Sequence, residues 1–229
     1  MNRATCALLV GGYLAVAFGG AANSAGSDLP ASFAGTLPCA DCAGIEMQLD
    51  LWPDGVFHLK RTYLGRGGHA DDLGRWRRKP DSERILLYGG QAMPLLFERR
   101  GPDALVPLGP GGSAAPGTVR LKRLERFAPA ELELGMHGQF RYMADAARFE
   151  ECLTGRSYPV AMEADYVALE RAYLGAREAP GAPLMASFDG RIALRPPMEG
   201  PGPVLTVVVD RFIGVWPNQS CERATSNGR

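Results

Sequence analysis

Residues 44–65 place the strongest local constraint on the fold. Ile45, Met47, Leu49 and Leu51 recur at period two, Pro53-Asp54-Gly55 forms a turn, and residues 56–65 return as a second strand. This unit is a β-hairpin, and the preceding residues 35–43 put Cys39 and Cys42 at its mouth. Two cysteines three apart can bond each other or hold one metal ion together. No second pair at similar spacing follows to complete a zinc site, and no βαβ pattern surrounds the motif as a thioredoxin-type centre requires.

Short strand patterns continue after the hairpin, at residues 74–78, 84–88, 94–99, 104–108 and 118–124. Turn clusters such as Lys79-Pro80-Asp81-Ser82 and Arg100-Gly101-Pro102-Asp103 separate them. With 29 Gly and 18 Pro in 229 residues the chain is punctuated too often for long helices, and this spacing describes a small antiparallel barrel or sandwich. The first domain is expected over residues 30–126 and a linker over 127–134. A second domain is expected over 135–222 with a polar tail at 223–229. Its pattern is three strands, a helix opened by Asp165 with Tyr166, Leu169, Tyr173 and Ala176 on one face, then two strands. That order is the one of an OB-fold barrel.

Residues 1–25 carry Arg3, an apolar run at 7–18 and small residues to Ala25, the composition of a cleaved secretory signal peptide. The run is shorter than the roughly 20 residues a bilayer span needs. Removing it also removes Cys6 and leaves Cys39, Cys42, Cys152 and Cys221 in an oxidising compartment. Four cysteines allow three pairings, and the spacing favours Cys39 with Cys42 and Cys152 with Cys221. Lys plus Arg equal Asp plus Glu at 25 each, so no global field draws the chain to nucleic acid or an anionic membrane.

The run G-T-L-P-C-A-D-C-A-G-I at residues 35–45, the following L-x-L strand, the D-G turn, the Y-L-G at 63–65 and Gly74-Arg75-Trp76 together resemble the N-terminal domain of the NlpE (CutF) family. Residues 142–152, 154–161, 169–173 and 195–200 resemble the C-terminal region of the same family. The resemblance implies a mostly β chain, with an N-terminal lipocalin-like barrel and a C-terminal OB-fold-like barrel carrying one helix. It also implies a non-enzymatic envelope protein tied to copper homeostasis and envelope stress, acting through an envelope protein partner or a redox-responsive CxxC. The best-known members carry lipid on a cysteine that closes the apolar run, whereas Cys6 lies before it. The expectation is therefore a periplasmic protein without a lipid anchor.

Cys39 and Cys42 are the candidate Cu(I) ligands, since soft thiolates suit that ion, and copper is the one cofactor considered. A static disulfide bracing the hairpin mouth is the plainer reading. Asp41 between them opposes thiolate formation. Met136, His137 and Met143 offer soft or nitrogen ligands, but single Met residues on strands usually fill core gaps. His58 and His69 read as strand-surface and loop residues. Asp145, Glu150, Glu151, Glu163 and Glu199 show no acid/base spacing, and Ser157 and Ser187 lack a nucleophile elbow. Arg75, Arg77, Arg78 and Lys79 read as a solvated strand edge. No catalytic residue emerges. The rival readings are a thiol-disulfide oxidoreductase using Cys39 and Cys42, and a carrier of a small apolar ligand in the first barrel.

Overall fold

The computed structural model describes residues 28–114, 119–197 and 200–221. The signal peptide with Cys6, Glu199 and the tail at 223–229 lie outside the described residues.

The hairpin becomes β2 (Gly44–Leu51) and β3 (Val56–Leu64), whose alternation sends Met47, Leu49, Leu51, Phe57 and Leu59 to one face. It is preceded by β1 (Ala31–Leu37) and followed by β4 (Asp72–Arg78), β5 (Arg84–Gly89), β6 (Leu95–Arg99), β7 (Ala104–Leu108) and β8 (Leu121–Arg123). Neighbours pair antiparallel, and β8 returns to β1 at Phe33 and Arg123, so the sheet is a closed barrel. β1 is the strand sequence reasoning missed: Ala31, Ala34 and Gly35 give it little apolar signal. Gly35 is required there, because a Cβ would stand 2.8 Å from the Arg120 carbonyl oxygen where β1 meets β8.

Residues 127–134, the expected linker, run along the barrel and enter β9 (Leu132–Met143), which forms a hairpin with β10 (Ala146–Glu151). Then come β11 (Ser157–Pro159), α1 (Tyr166–Ala176), β12 (Leu184–Arg195) and β13 (Val204–Trp216). The sheet order is β11-β10-β9-β12-β13, and a parallel bridge between Val160 and Val207 brings its two edges together. β13 is bulged twice against β12, with Ile213 extra opposite the Ser187–Phe188 step and Asp210 extra opposite the Asp189–Gly190 step, bending it around the core. Tyr166, Leu169 and Tyr173 bury one face of α1 against that core.

The expected capping role of Asp165 is corrected. Its side chain makes no cap hydrogen bond; the carboxylate instead accepts the Phe212 N–H at 2.7 Å, tying the helix start to β13. A tertiary acceptor role outcompetes the local cap.

Candidate functional site

Cys39 and Cys42 sit in the β1–β2 connection, at one rim of the barrel. Their sulfurs are bonded at 2.02 Å. The β2–β3 ladder extends to this loop through Ala43 N–H to the Leu64 carbonyl, at 3.0 Å. Asp41 pairs with Arg66 from the β3–β4 connection, and the Arg66 guanidinium lies 5.0 Å from the Tyr63 ring. Ligand atoms of Cys39, Asp41 and Cys42 lie within 4.8 Å of one another. Two sulfurs at this spacing fit a soft monovalent ion once reduced, because neither sulfur of a disulfide is a thiolate. The Asp41 carboxylate is already engaged by Arg66, so the two sulfurs are the usable donors.

The other pair, Cys152 and Cys221, is bonded at 2.03 Å across a sequence separation of 69. It ties the segment after β10 to the segment after β13. The Cys152 N–H donates to the His137 carbonyl at 3.1 Å, and its sulfur touches Met185.

The remaining soft and ionisable candidates do not converge. Met136 is core, Met143 is exposed, and His137 shares a 2.6 Å hydrogen bond with Ser187. Asp145 accepts from Tyr142 at 3.0 Å, Glu150 pairs with Arg141, Glu163 pairs with Arg195, and Ser157 accepts from Arg148. Glu151 is buried and accepts the Leu153 and Thr154 N–H groups and the Thr154 hydroxyl, a closed local network. His69 lies in its loop near Glu133.

His58 departs from the expectation of a strand-surface residue: it is fully buried. Val56, Phe57, His58 and Leu59 form a continuous buried run because β3 has the barrel core on one side and the second domain on the other. His58 Nε2 lies 3.4 Å from the Tyr158 hydroxyl, its ring 4.4 Å from that of Trp52, and Nδ1 has no partner among the described residues. Arg156 stacks over Trp52 at 4.7 Å and pairs with Asp54 at 2.6 Å. Burial, with Arg156 adding to it, lowers the His58 pKa to about 3, so the imidazole is neutral; burial pushes the Tyr158 phenol up to about 12.

Around this cluster the connecting segment is pinned to the barrel. Asp50 accepts the Ala130 N–H at 2.8 Å, and Asp71 accepts the Glu133 N–H at 2.8 Å. Gln48 and Lys60 donate to the Ala128 and Glu131 carbonyls at 2.7 and 2.9 Å. Leu73 projects from β4 into the second domain's core. Arg75 is exposed as expected, and its guanidinium also donates to the Thr154 carbonyl across the junction. The buried run at 56–59 includes His58, which period-two alternation places on the outward face, so the junction left no local signal in the sequence.

These features define a two-domain β protein: a closed eight-stranded barrel with a CxxC on its rim, fused to an OB domain with one bridged loop. Family models match both parts, the NlpE N-terminal domain at residues 33–117 and the NlpE C-terminal OB domain at 132–222. The chain belongs to the NlpE family. It is 32% identical over 198 residues to lipoprotein NlpE of Escherichia coli strain K12, covering 84% of this chain and 81% of that protein. The crystal structure of the Cpx pathway activator NlpE from Escherichia coli matches over 85% of this chain and 99% of that one, at 32% identity and a TM-score of 0.36. These relatives are named as a lipoprotein and a pathway activator, not by an enzymatic activity.

One expectation is overturned by these relatives. A periplasmic protein without an anchor was inferred from the place of Cys6, but the relative that spans most of the chain is named a lipoprotein. A leader composition speaks to export; it does not decide how the exported chain is held at a membrane.

Proposed function

We propose that this protein serves envelope copper or stress homeostasis without catalysis, by presenting a partner protein with a barrel rim whose form follows the state of Cys39 and Cys42. The observation that carries the reading is the placement of that pair on the β1–β2 connection at the barrel rim, braced by Asp41 and Arg66. The Escherichia coli relative described as a Cpx pathway activator supports an envelope protein as the partner.

The step at the rim is a two-electron reduction. A dithiol reductant gives two electrons and two protons to the Cys39–Cys42 bond and leaves as its own disulfide, with two thiols remaining on the chain. Cys39 and Cys42, as thiolates, are the residues that would hold Cu(I), which supplies a soft cation in place of the covalent link. Either change frees the loop to move relative to Arg66, and a partner that reads one form biases the balance by a few kcal/mol at most.

The test is a deletion strain complemented with wild-type protein or with Cys39→Ser/Cys42→Ser, matched for protein level. Copper sensitivity and an envelope-stress reporter are expected to change on deletion, and to be restored by wild type but not by the double variant. Unchanged copper sensitivity and unchanged signalling in the deletion strain would overturn the proposal.

A further inference from the structure

The barrel end opposite the CxxC holds a cavity of about 130 Å³. β1 spans seven residues between the two ends, about 20 Å at strand rise. The cavity walls are apolar, with Phe33, Leu51, Trp76, Ile85 and Leu105 facing it. Among the described residues its rim carries Arg78, Arg99 and Arg123 with a single carboxylate, Asp28. The rest of the interior is filled: Leu49, Phe57, Leu59, Phe97 and Leu121 are buried around the barrel axis. An apolar hole of roughly 150 Å³ stays dry and accepts a benzene-sized guest. This one suits a compact ring or a few methylenes.

The rim charges are incompletely matched. Arg78 donates to Glu83 at 2.5 Å and to the Ser82 carbonyl at 3.2 Å. Arg123 donates to the Asp28 backbone carbonyl at 2.6 Å rather than to a carboxylate. Arg99 reaches the Asp28 carboxylate only at 3.8 Å. Among the described residues Arg99 therefore meets one acid loosely and Arg123 meets only a backbone carbonyl, both above an apolar hole, and a planar anion can be gripped there by forked N–H donors. Asp28 and Leu29 already illustrate the arrangement. Leu29 packs against the barrel core while the adjacent carboxylate faces Arg99, an apolar group below an acid.

We propose that this end of the barrel binds an anionic amphiphile, a carboxylate- or phosphate-headed molecule with an aliphatic or aromatic tail, and that Asp28 and Leu29 occupy part of the same site. The head pairs with Arg99 and Arg123. The tail enters between Trp76, Leu51 and Leu105, and moving Leu29 aside lengthens the cavity for it. The site does not depend on the state of Cys39 and Cys42, so it stands or falls separately from the function proposed above.

The probe is decanoate, titrated into the full exported chain by calorimetry, with Trp76 emission followed in parallel. Saturable binding is expected, weakened at least tenfold by Arg99→Gln/Arg123→Gln and strengthened several-fold by Asp28→Ser/Leu29→Ser. Decanol is expected to bind at least tenfold more weakly than decanoate. Leu105→Trp, which fills the cavity, should abolish binding, and circular dichroism with thermal melting checks that each variant is folded. A second arm uses vesicles of anionic phospholipid. Binding to monomeric decanoate points to a free fatty acid, and arginine-dependent binding seen with vesicles alone points to bilayer lipid, the same head-and-tail chemistry from another source. Absence of saturable binding in both arms, for wild type and for Asp28→Ser/Leu29→Ser, overturns the proposal. So does binding that folded Arg99→Gln/Arg123→Gln leaves unchanged.

Discussion

The rim that carries the CxxC and the junction between the domains are built on opposite terms. At the rim the Asp41–Arg66 pair is exposed, with side chains 68% and 51% accessible, and the disulfide spans three positions. At the junction His58, Asp50, Tyr158 and Leu73 are buried, and most polar groups have partners on the other side. Exposed ion pairs contribute about 0–1 kcal/mol, whereas a buried group left unpaired costs about 1–3 kcal/mol. The rim can change chemical state at little cost to the fold; the junction cannot.

The largest expected effect comes from the other bridge, which shares the junction's structural character. Cys152→Ser/Cys221→Ser should lose about 4 kcal/mol in denaturant unfolding, the chain-entropy value for a loop of this length. Cys39→Ser/Cys42→Ser should lose about 2 kcal/mol by the same relation, half as much. Equal losses would erase the distinction.

The next effect is the junction's pH dependence. His58 is neutral in the fold down to about pH 3 and protonates near 6.5 once exposed, so between these values the unfolded or opened state binds more protons. The His58 contribution is fully present above pH 6.5 and is lost as pH falls, at up to about 1.4 kcal/mol per pH unit. By pH 4 this amounts to about 3 kcal/mol, measurable as a fall in the urea midpoint. His58→Gln should flatten that slope, and a slope unchanged by the substitution would remove His58 as its source. A smaller effect is expected from Tyr158→Phe, about 1 kcal/mol, because His58 Nε2 loses its neighbour in a dry site. The smallest is Asp41→Ala at the rim, under about 0.5 kcal/mol in the same unfolding assay. A cost as large as that of Tyr158→Phe would make the rim structural after all.

Much of the architecture was legible in the chain. Alternation around Pro53-Asp54-Gly55 identified β2 and β3, and the shared face of Tyr166, Leu169 and Tyr173 identified α1. β1 was hidden because Ala31, Ala34 and Gly35 carry little hydrophobic signal, although the closure they permit against β8 is what makes the sheet a barrel. Asp165 resembled a helix cap because that preference is local; its acceptor role depends on Phe212, 47 residues away. His58 resembled a surface residue because a strand's outward face is ordinarily wet.

The sequence by itself determined the periodicities, the turns, the cysteine spacing and the family words they spell, since each depends on residues within a few positions of one another. The tertiary structure alone decided that the outer face of β3 is dry, that Arg99 and Arg123 meet over a cavity at the barrel's far end, and that Leu73 belongs to the second domain's core. Those facts depend on dielectric and packing at points where segments as far as 102 residues apart come into contact, which no local pattern encodes.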